Sequence, residues 1–469
     1  MKFIIEKKYF RIFNYIFYFS LFLSTNLIKI KSKKLCNKIS SNFKGPYLFK
    51  HYRVFDAIAL HEGISKNLNK NSISSCLNEN KFKINFLSFV EKNSCKNGFL
   101  GFQNSLWKAC KKNNIKNLYY PILDTFIRTI PWRYFFSGFK IDNKFFVKIK
   151  KIINEYELFY SKYNTLFLTD TAYFENQLAK QIFFNNKKKV IYLNPEGKIN
   201  EYQNENYSEY SLKKFTNFYQ KNSVEIEKYL CKRYDGKDNN DPNVRFSFSK
   251  DLHKKKIKKR KILFLHAFRD ANNNTWNKNE TFDSYFEWIK FTLDVINQKN
   301  DFQNWYIKKH PLGSWYENET EIINKLIKQY SIPKSVFEDC PSTKKILEQR
   351  MPVYTNNGTI ILETATKGYA TYFCKLRFNR RFGFFISSKK KWKKVVTAPY
   401  EKAAKNRISK KIQESAKYNL WNLYKKNIPE LCPTQPIKRN GYFVIIAALY
   451  NQIFNTIFLK SKNFRIPKL

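Results

Sequence analysis

Two short apolar runs, residues 262–265 and 305–307, each give way to a histidine, His266 after the first and His310 after the second. Runs that are apolar throughout, rather than alternating, mark strands buried on both faces, and such strands belong to parallel sheets covered by helices. Pro311 disfavours helical geometry at His310 and pushes it into an extended conformation, where a strand gives way to a loop. In an open α/β sheet, small molecules bind in the crevice beyond the carboxyl ends of the strands. The expected fold class is therefore α/β, with both histidines at the ligand-binding edge.

Residues 353–374 form a strand-turn-helix-strand unit: 353–355 extended, Asn356-Asn357-Gly358 turning, 359–367 helical, Gly368 closing, and 369–374 extended again. Gly358 permits a turn with positive φ, and Gly368 suits the left-handed residue that ends a helix. Thr359 is placed to cap the helix, and its first-turn amides would form an anion site. Glu363 lies four residues on, on the same face, where a carboxylate can accept hydrogen bonds from ribose or sugar hydroxyls. A polar crevice beside a helix start describes a nucleotide or phosphate site, although the chain has no Walker loop and no GxGxxG. His266 and Asp270 follow the first strand of this half, where they can orient or deprotonate an acceptor hydroxyl. Lys308 or Lys309 can neutralise charge on a leaving phosphate, and Lys308 shares a strand face with His310.

The order His266-Ala267-Phe268-x-Asp270, an aromatic helix with Glu287-Trp288, Lys308-x-His310-Pro311, and Asn357-Gly358-Thr359 followed by Glu363 and Gly368 resembles the donor half of bacterial capsule and surface polysaccharide biosynthesis proteins. These have a GT-B fold, in a group with capsule Kdo transferases, His-Pro sialyltransferases and CDP-glycerol polymerases. The likeness is concentrated in about 120 residues. It implies two Rossmann-like domains facing across a cleft, the first for the acceptor and the second for a nucleotide-sugar. By this resemblance the His-Pro histidine, here His310, holds the nucleotide together with the hydroxyl of Thr359 and the carboxylate of Glu363, with Lys308, Asn357 and Gly358 beside them. The implied activity is metal-independent transfer of a sugar to a capsule, lipopolysaccharide or other surface glycan, with the nucleotide-sugar as co-substrate and no cofactor. Transfer of glycerol phosphate or another polyol phosphate from a CDP-linked donor is the alternative within enzymes. A non-catalytic membrane-surface protein that has kept the fold is the alternative outside them. Glu287 and Trp288 sit beside an apolar stripe at 282, 286, 289, 293 and 296, so packing accounts for them without a site role.

A chain of 469 residues is too long for one ordinary core and suits two such halves. The pattern expects an apolar, basic segment over 1–35, an acceptor-side domain over 36–245, a basic linker at 246–260, a nucleotide-sugar domain over 261–400, and C-terminal helices over 401–469 that cross back or lie on a membrane. In the first half, residues 52–60, 118–122, 165–168 and 190–193 read as strands, with a helix after Asp170. His61, Glu62 and Asp170 at strand ends are the acceptor-side candidates, each equally at home as an ordinary loop residue.

The formal charge of +50 ordinarily points to nucleic acid or an anionic surface. Here lysines are scattered over every segment, and Lys, Asn, Ile, Phe and Tyr are enriched together as AT-rich coding would produce, so no nucleic-acid partner is expected. Eight cysteines without a CxxC pair support neither a zinc nor a redox motif and fit a reducing cytoplasm. Residues 12–23 are aromatic, apolar, short for a span and flanked by basic residues, and 441–459 near the other end is likewise aromatic, apolar and flanked by Lys438, Arg439, Lys460 and Lys462. Two such segments suit a cytoplasmic protein held at the inner face of the membrane.

Overall fold

The computed structural model describes residues 47–50, 72–74, 84–91, 98–168, 173–193, 199–201, 212–237, 244, 248, 257–270, 281–311, 313, 318–375 and 380–424. Its strands are β1 (Tyr47–Lys50), β2 (Ser72–Ser74), β3 (Val90–Glu91), β4 (Lys140–Ile141), β5 (Thr165–Leu168), β6 (Lys189–Leu193), β7 (Ile199–Glu201), β8 (Lys261–Phe264), β9 (Trp305–Lys308), β10 (Val353–Thr355), β11 (Thr371–Phe373) and β12 (Gly383–Phe385). The principal helices are α1 (Gly98–Lys112), α2 (Tyr119–Thr129), α3 (Tyr134–Ser137), α4 (Lys144–Tyr160), α5 (Tyr173–Asn185), α6 (Leu212–Tyr234), α7 (Tyr285–Asn297), α8 (Glu319–Gln329), α9 (Ile360–Thr366), α10 (Lys389–Val396) and α11 (Lys410–Tyr424).

The chain is α/β. One sheet runs β2-β1-β5-β6-β7, parallel except for the last pair, and the other runs β9-β8-β10-β11-β12, parallel throughout. With strands counted in chain order within each sheet, both read 2-1-3-4-5. That order belongs to doubly wound sheets, and its switch point lies between the first and third strands. In the second sheet those strands are β8 and β10.

The apolar runs behave as buried strands because both faces of the second sheet are covered. Ile262, Tyr306 and Val353 stand in register on one face and pack with Ile346, Leu347, Ile360 and Tyr369. Leu263, Ile307, Tyr354 and Tyr372 form the other face, under α7 and α10. Tyr354 and Tyr372 stack at 4.8 Å, and Trp392 of α10 meets Tyr354 edge-on. Lys261 can open so buried a strand because its ammonium is fully engaged, with Asp301 Oδ2 at 3.0 Å and the carbonyls of Val396 and Ala398 at 3.0 and 3.2 Å.

The structure differs from the sequence expectation at 118–122, which is helical: a 3-10 turn leads into α2. A five-residue apolar run does not distinguish a strand from a buried helix. Leu118, Ile122, Leu123, Phe126 and Ile127 continue at helical spacing, and Pro121 falls in the first turn, where its missing amide costs nothing. α6 itself continues to Tyr234. Ile226 and Leu230 of α6 pack with Ile361 and Leu362 of α9 and with Leu420 and Trp421 of α11, so α6 belongs by packing to the second sheet. The described part of the C-terminal tail, α11, lies on α6 and α9 rather than returning to the first sheet.

His61, Glu62, Asp170, the strand expected at 52–60, the segment 1–35, most of the linker and the apolar stretch 441–459 lie outside the described residues. Among the described residues no helix is long and apolar enough to cross a membrane.

Candidate functional site

The carboxyl ends of β8, β9 and β10 bring together three sequence candidates. His266 follows β8, His310 follows β9, and Asn357 follows β10. The His266 imidazole lies flat on the ring of Tyr285, with centroids 4.0 Å apart and planes 5° apart, and the His310 ring lies 5.0 Å from it. Tyr285 is the first residue of α7, buried, and its hydroxyl bonds the Asn357 amide at 3.0 Å. A continuous ring-and-amide chain, His310 to His266 to Tyr285 to Asn357, therefore spans the switch point of the second sheet.

Local chemistry fixes each member. Ser284 caps α7 by accepting the Glu287 amide, and Glu287 reaches back to the Asp283 amide at 2.7 Å, a reciprocal box that sets the helix start under His266. Lys389 closes on Glu287 from α10. Asp283 also receives the hydroxyls of Tyr119 and Tyr120 from α2, at 2.9 and 3.0 Å. Trp288 is fully buried in the core, so this pair is structural, as its helical stripe implied. The turn at Asn356-Asn357-Gly358 is held by Thr355, whose hydroxyl donates to the Asn357 carbonyl at 2.7 Å, and Gly358 adopts φ +132°.

The loop after β8 is clamped to the first half of the chain. Arg269, itself buried, donates from Nη2 to the Ile130 carbonyl at 2.7 Å, at the carboxyl end of α2 where the helix dipole favours a cation. Asp270, the next residue, brings Oδ2 to 3.9 Å from His266 Nδ1. That is beyond hydrogen-bond length and within ion-pair reach of a protonated imidazole.

Other candidates stand differently from their sequence expectation. Thr359 has helical angles and makes no side-chain cap, and α9 begins without one. Glu363 is buried, and its Oε1 receives Nη2 of Arg233 at 2.6 Å and Nε at 3.3 Å, so the carboxylate faces α6. Lys308 donates from Nζ to the Pro341 carbonyl at 3.1 Å, and Lys309 lies over Phe337. Asn318, just before α8, takes left-handed angles and makes no side-chain cap bond.

Sequence reasoning missed Tyr285, Arg269, Glu319 and Lys375. Tyr285 was legible only as part of an apolar helix face. Lys375 stands two residues past β11, buried, with its backbone amide bonded to the Asn356 carbonyl at 3.0 Å. It repeats, two strands over in the sheet, the strand-then-polar signal that marked His266.

Glu319 opens α8 and accepts the Phe268 amide at 2.7 Å, tying α8 to the loop that carries His266. Burial raises its pKa to about 7, against the Phe268 amide and the Arg269 charge, which pull it down. A carboxyl with a raised folded pKa binds its proton more tightly in the native state, so stability is full below the unfolded value and falls as pH rises through the folded one. From pH 4.5 to about 7 this group should remove stability on the order of 3 kcal/mol. Urea unfolding of the native protein and Glu319→Gln at pH 5 and pH 7.5 checks this. The native chain should lose more stability than the variant across that window, and parallel losses would exclude Glu319 as the source.

Among the described residues no group of three or more His, Cys, Asp or Glu side chains is placed to hold a metal ion. No family model matches the chain, and neither a curated protein nor a solved structure matches it.

Proposed function

We propose that this protein is a glycosyltransferase of GT-B-like organisation, moving a sugar from a nucleotide-sugar to a surface-glycan acceptor. The reading is supported by one observation above all. At the switch point of a parallel 2-1-3-4-5 sheet, His266, His310 and Asn357 converge through Tyr285, beside a loop clamped to the other half of the chain. Switch-point crevices are where doubly wound sheets take nucleotides.

In this reading His310 and the turn at Asn357-Gly358 meet the nucleotide, and His266 takes the acceptor proton as the acceptor oxygen attacks the anomeric carbon. Asp270 stabilises the imidazolium that forms, and the nucleotide leaves with the bonding electron pair of the sugar-phosphate bond. Fixed donors at the crevice act where phosphate charge develops and need no rearrangement at that moment. Glu363 carries no ligand role in this account, because its carboxylate is held by Arg233. The reading places the protein on the cytoplasmic side of the membrane, where nucleotide-sugars are made.

Thermal unfolding in the presence of CMP-, UDP-, GDP- and CDP-linked sugars tests it, since a ligand held only by the native state raises the melting temperature. One nucleotide class should raise it by several degrees, and stabilisation by CDP-glycerol alone would favour polyol-phosphate transfer. No shift with any of them contradicts the proposal.

A further inference from the structure

A recess lies away from the histidines, at the seam between the two halves. It has a volume of about 480 Å³ and is lined by Phe99 of α1, Phe135 and Phe136 of α3, and Phe286, Lys325 and Lys328 from α7 and α8. That volume falls within the roughly 300–1,000 Å³ of small-molecule sites, which favour domain seams.

Its lining is segregated by chemistry. Phe286 meets Phe135 at 5.1 Å, Phe136 edge-on at 5.5 Å and Phe99 edge-on at 5.9 Å, so four phenyl rings make an apolar wall. Three lysines line the recess as well, Lys290 from α7 and Lys325 and Lys328 from α8. Lys290 is engaged by the Tyr330 hydroxyl at 3.1 Å and by Asp294. Lys325 and Lys328 are exposed, three residues apart on one face of α8, and neither makes an ion pair with a described residue. Cations lining an apolar recess complement a ligand with a hydrocarbon body and an anionic head.

We propose that this recess binds a phosphate-headed hydrocarbon chain, the hydrocarbon against the phenyl wall and the phosphate between Lys325 and Lys328. Three cationic side chains lining one recess suit a head that carries up to two negative charges. The site is independent of the sugar-transfer reading, because it shares no residue with the histidine edge. Phe286 is nevertheless the neighbour of Tyr285, and Phe268 of the His266 loop meets it edge-on at 6.2 Å, so an occupant would abut the packing beneath that edge.

Calorimetry of the full chain with decyl phosphate below its micelle concentration, inorganic phosphate, and neutral octyl glucoside tests the assignment. Decyl phosphate should bind at one saturable site, with the other two probes at least about tenfold weaker. Lys325→Gln/Lys328→Gln should weaken decyl phosphate about tenfold or more and leave octyl glucoside unchanged. Because the whole chain is strongly cationic, the control is Lys390→Gln/Lys391→Gln on α10, which should leave decyl phosphate binding as it was. Equal binding of inorganic phosphate, equal binding of the neutral probe, no binding of decyl phosphate, or equal losses in the two lysine pairs would each overturn the proposal. Nucleotide binding is a separate measurement, so failure here leaves the sugar-transfer reading standing and its failure leaves this one.

Discussion

Glu363→Gln is expected to destabilise the fold by about 3–5 kcal/mol, the cost of leaving a buried charge without its counter-charge. Arg233 has a side-chain exposure of 1 % and Glu363 of 6 %, and the guanidinium also lies over the Tyr424 ring at 4.6 Å. Arg233 is in the last turn of α6, Glu363 is in α9 and Tyr424 ends α11, so the pair sits where these three helices meet. Water cannot replace the carboxylate there, and a glutamine oxygen offers a dipole in place of a charge. The double change Arg233→Met/Glu363→Leu should recover most of the loss, because apolar groups of similar volume satisfy a core without a desolvation penalty. Urea unfolding of the three variants checks this. A Glu363→Gln protein as stable as the native one would mean that the carboxylate is not buried against Arg233.

How far the sequence reached can be read from the same residues. The strands at 165–168 and 353–355 are bounded as their apolar runs and flanking turns implied, and Gly368 ends α9 with φ +81° as a left-handed residue should. These features are local: a run, a proline and a glycine each carry their consequence within a few positions. The Arg233–Glu363 pair joins residues 130 apart, and no spacing rule reaches across that distance. A carboxylate on a short helix reads as a ligand group until its partner is known. Tyr285 was hidden for the opposite reason, since an aromatic residue beside an apolar stripe reads as core. It is core on one side and a platform for His266 on the other. Run 118–122 failed because length was the only arbiter between helix and strand, and the helical continuation to Thr129 decided it.

The second large effect concerns turnover. Asp270→Asn should lower the rate of sugar transfer by about 10²–10⁴ while nucleotide affinity stays within a factor of about two, because a group that serves the departing proton acts only in the transition state. Its carboxylate stands 3.9 Å from the His266 ring nitrogen, and in the proposed reaction it would act through the imidazole, stabilising the charge formed as the acceptor is deprotonated. The distinguishing signature is a fall in turnover without a fall in nucleotide affinity. An unchanged rate would remove Asp270 from the proposed reaction.

Whether the carboxyl edge of β8, β9 and β10 holds a nucleotide, as proposed, is decided by titration calorimetry on folded samples. The nucleotide that stabilises the native protein best should bind it at one site. His310→Ala should weaken that binding by roughly one to two decades, as removal of a charge-assisted hydrogen bond worth about 1–3 kcal/mol would. Asp270→Asn should bind it as the native protein does. Equal affinity in the native and His310→Ala proteins would contradict the account.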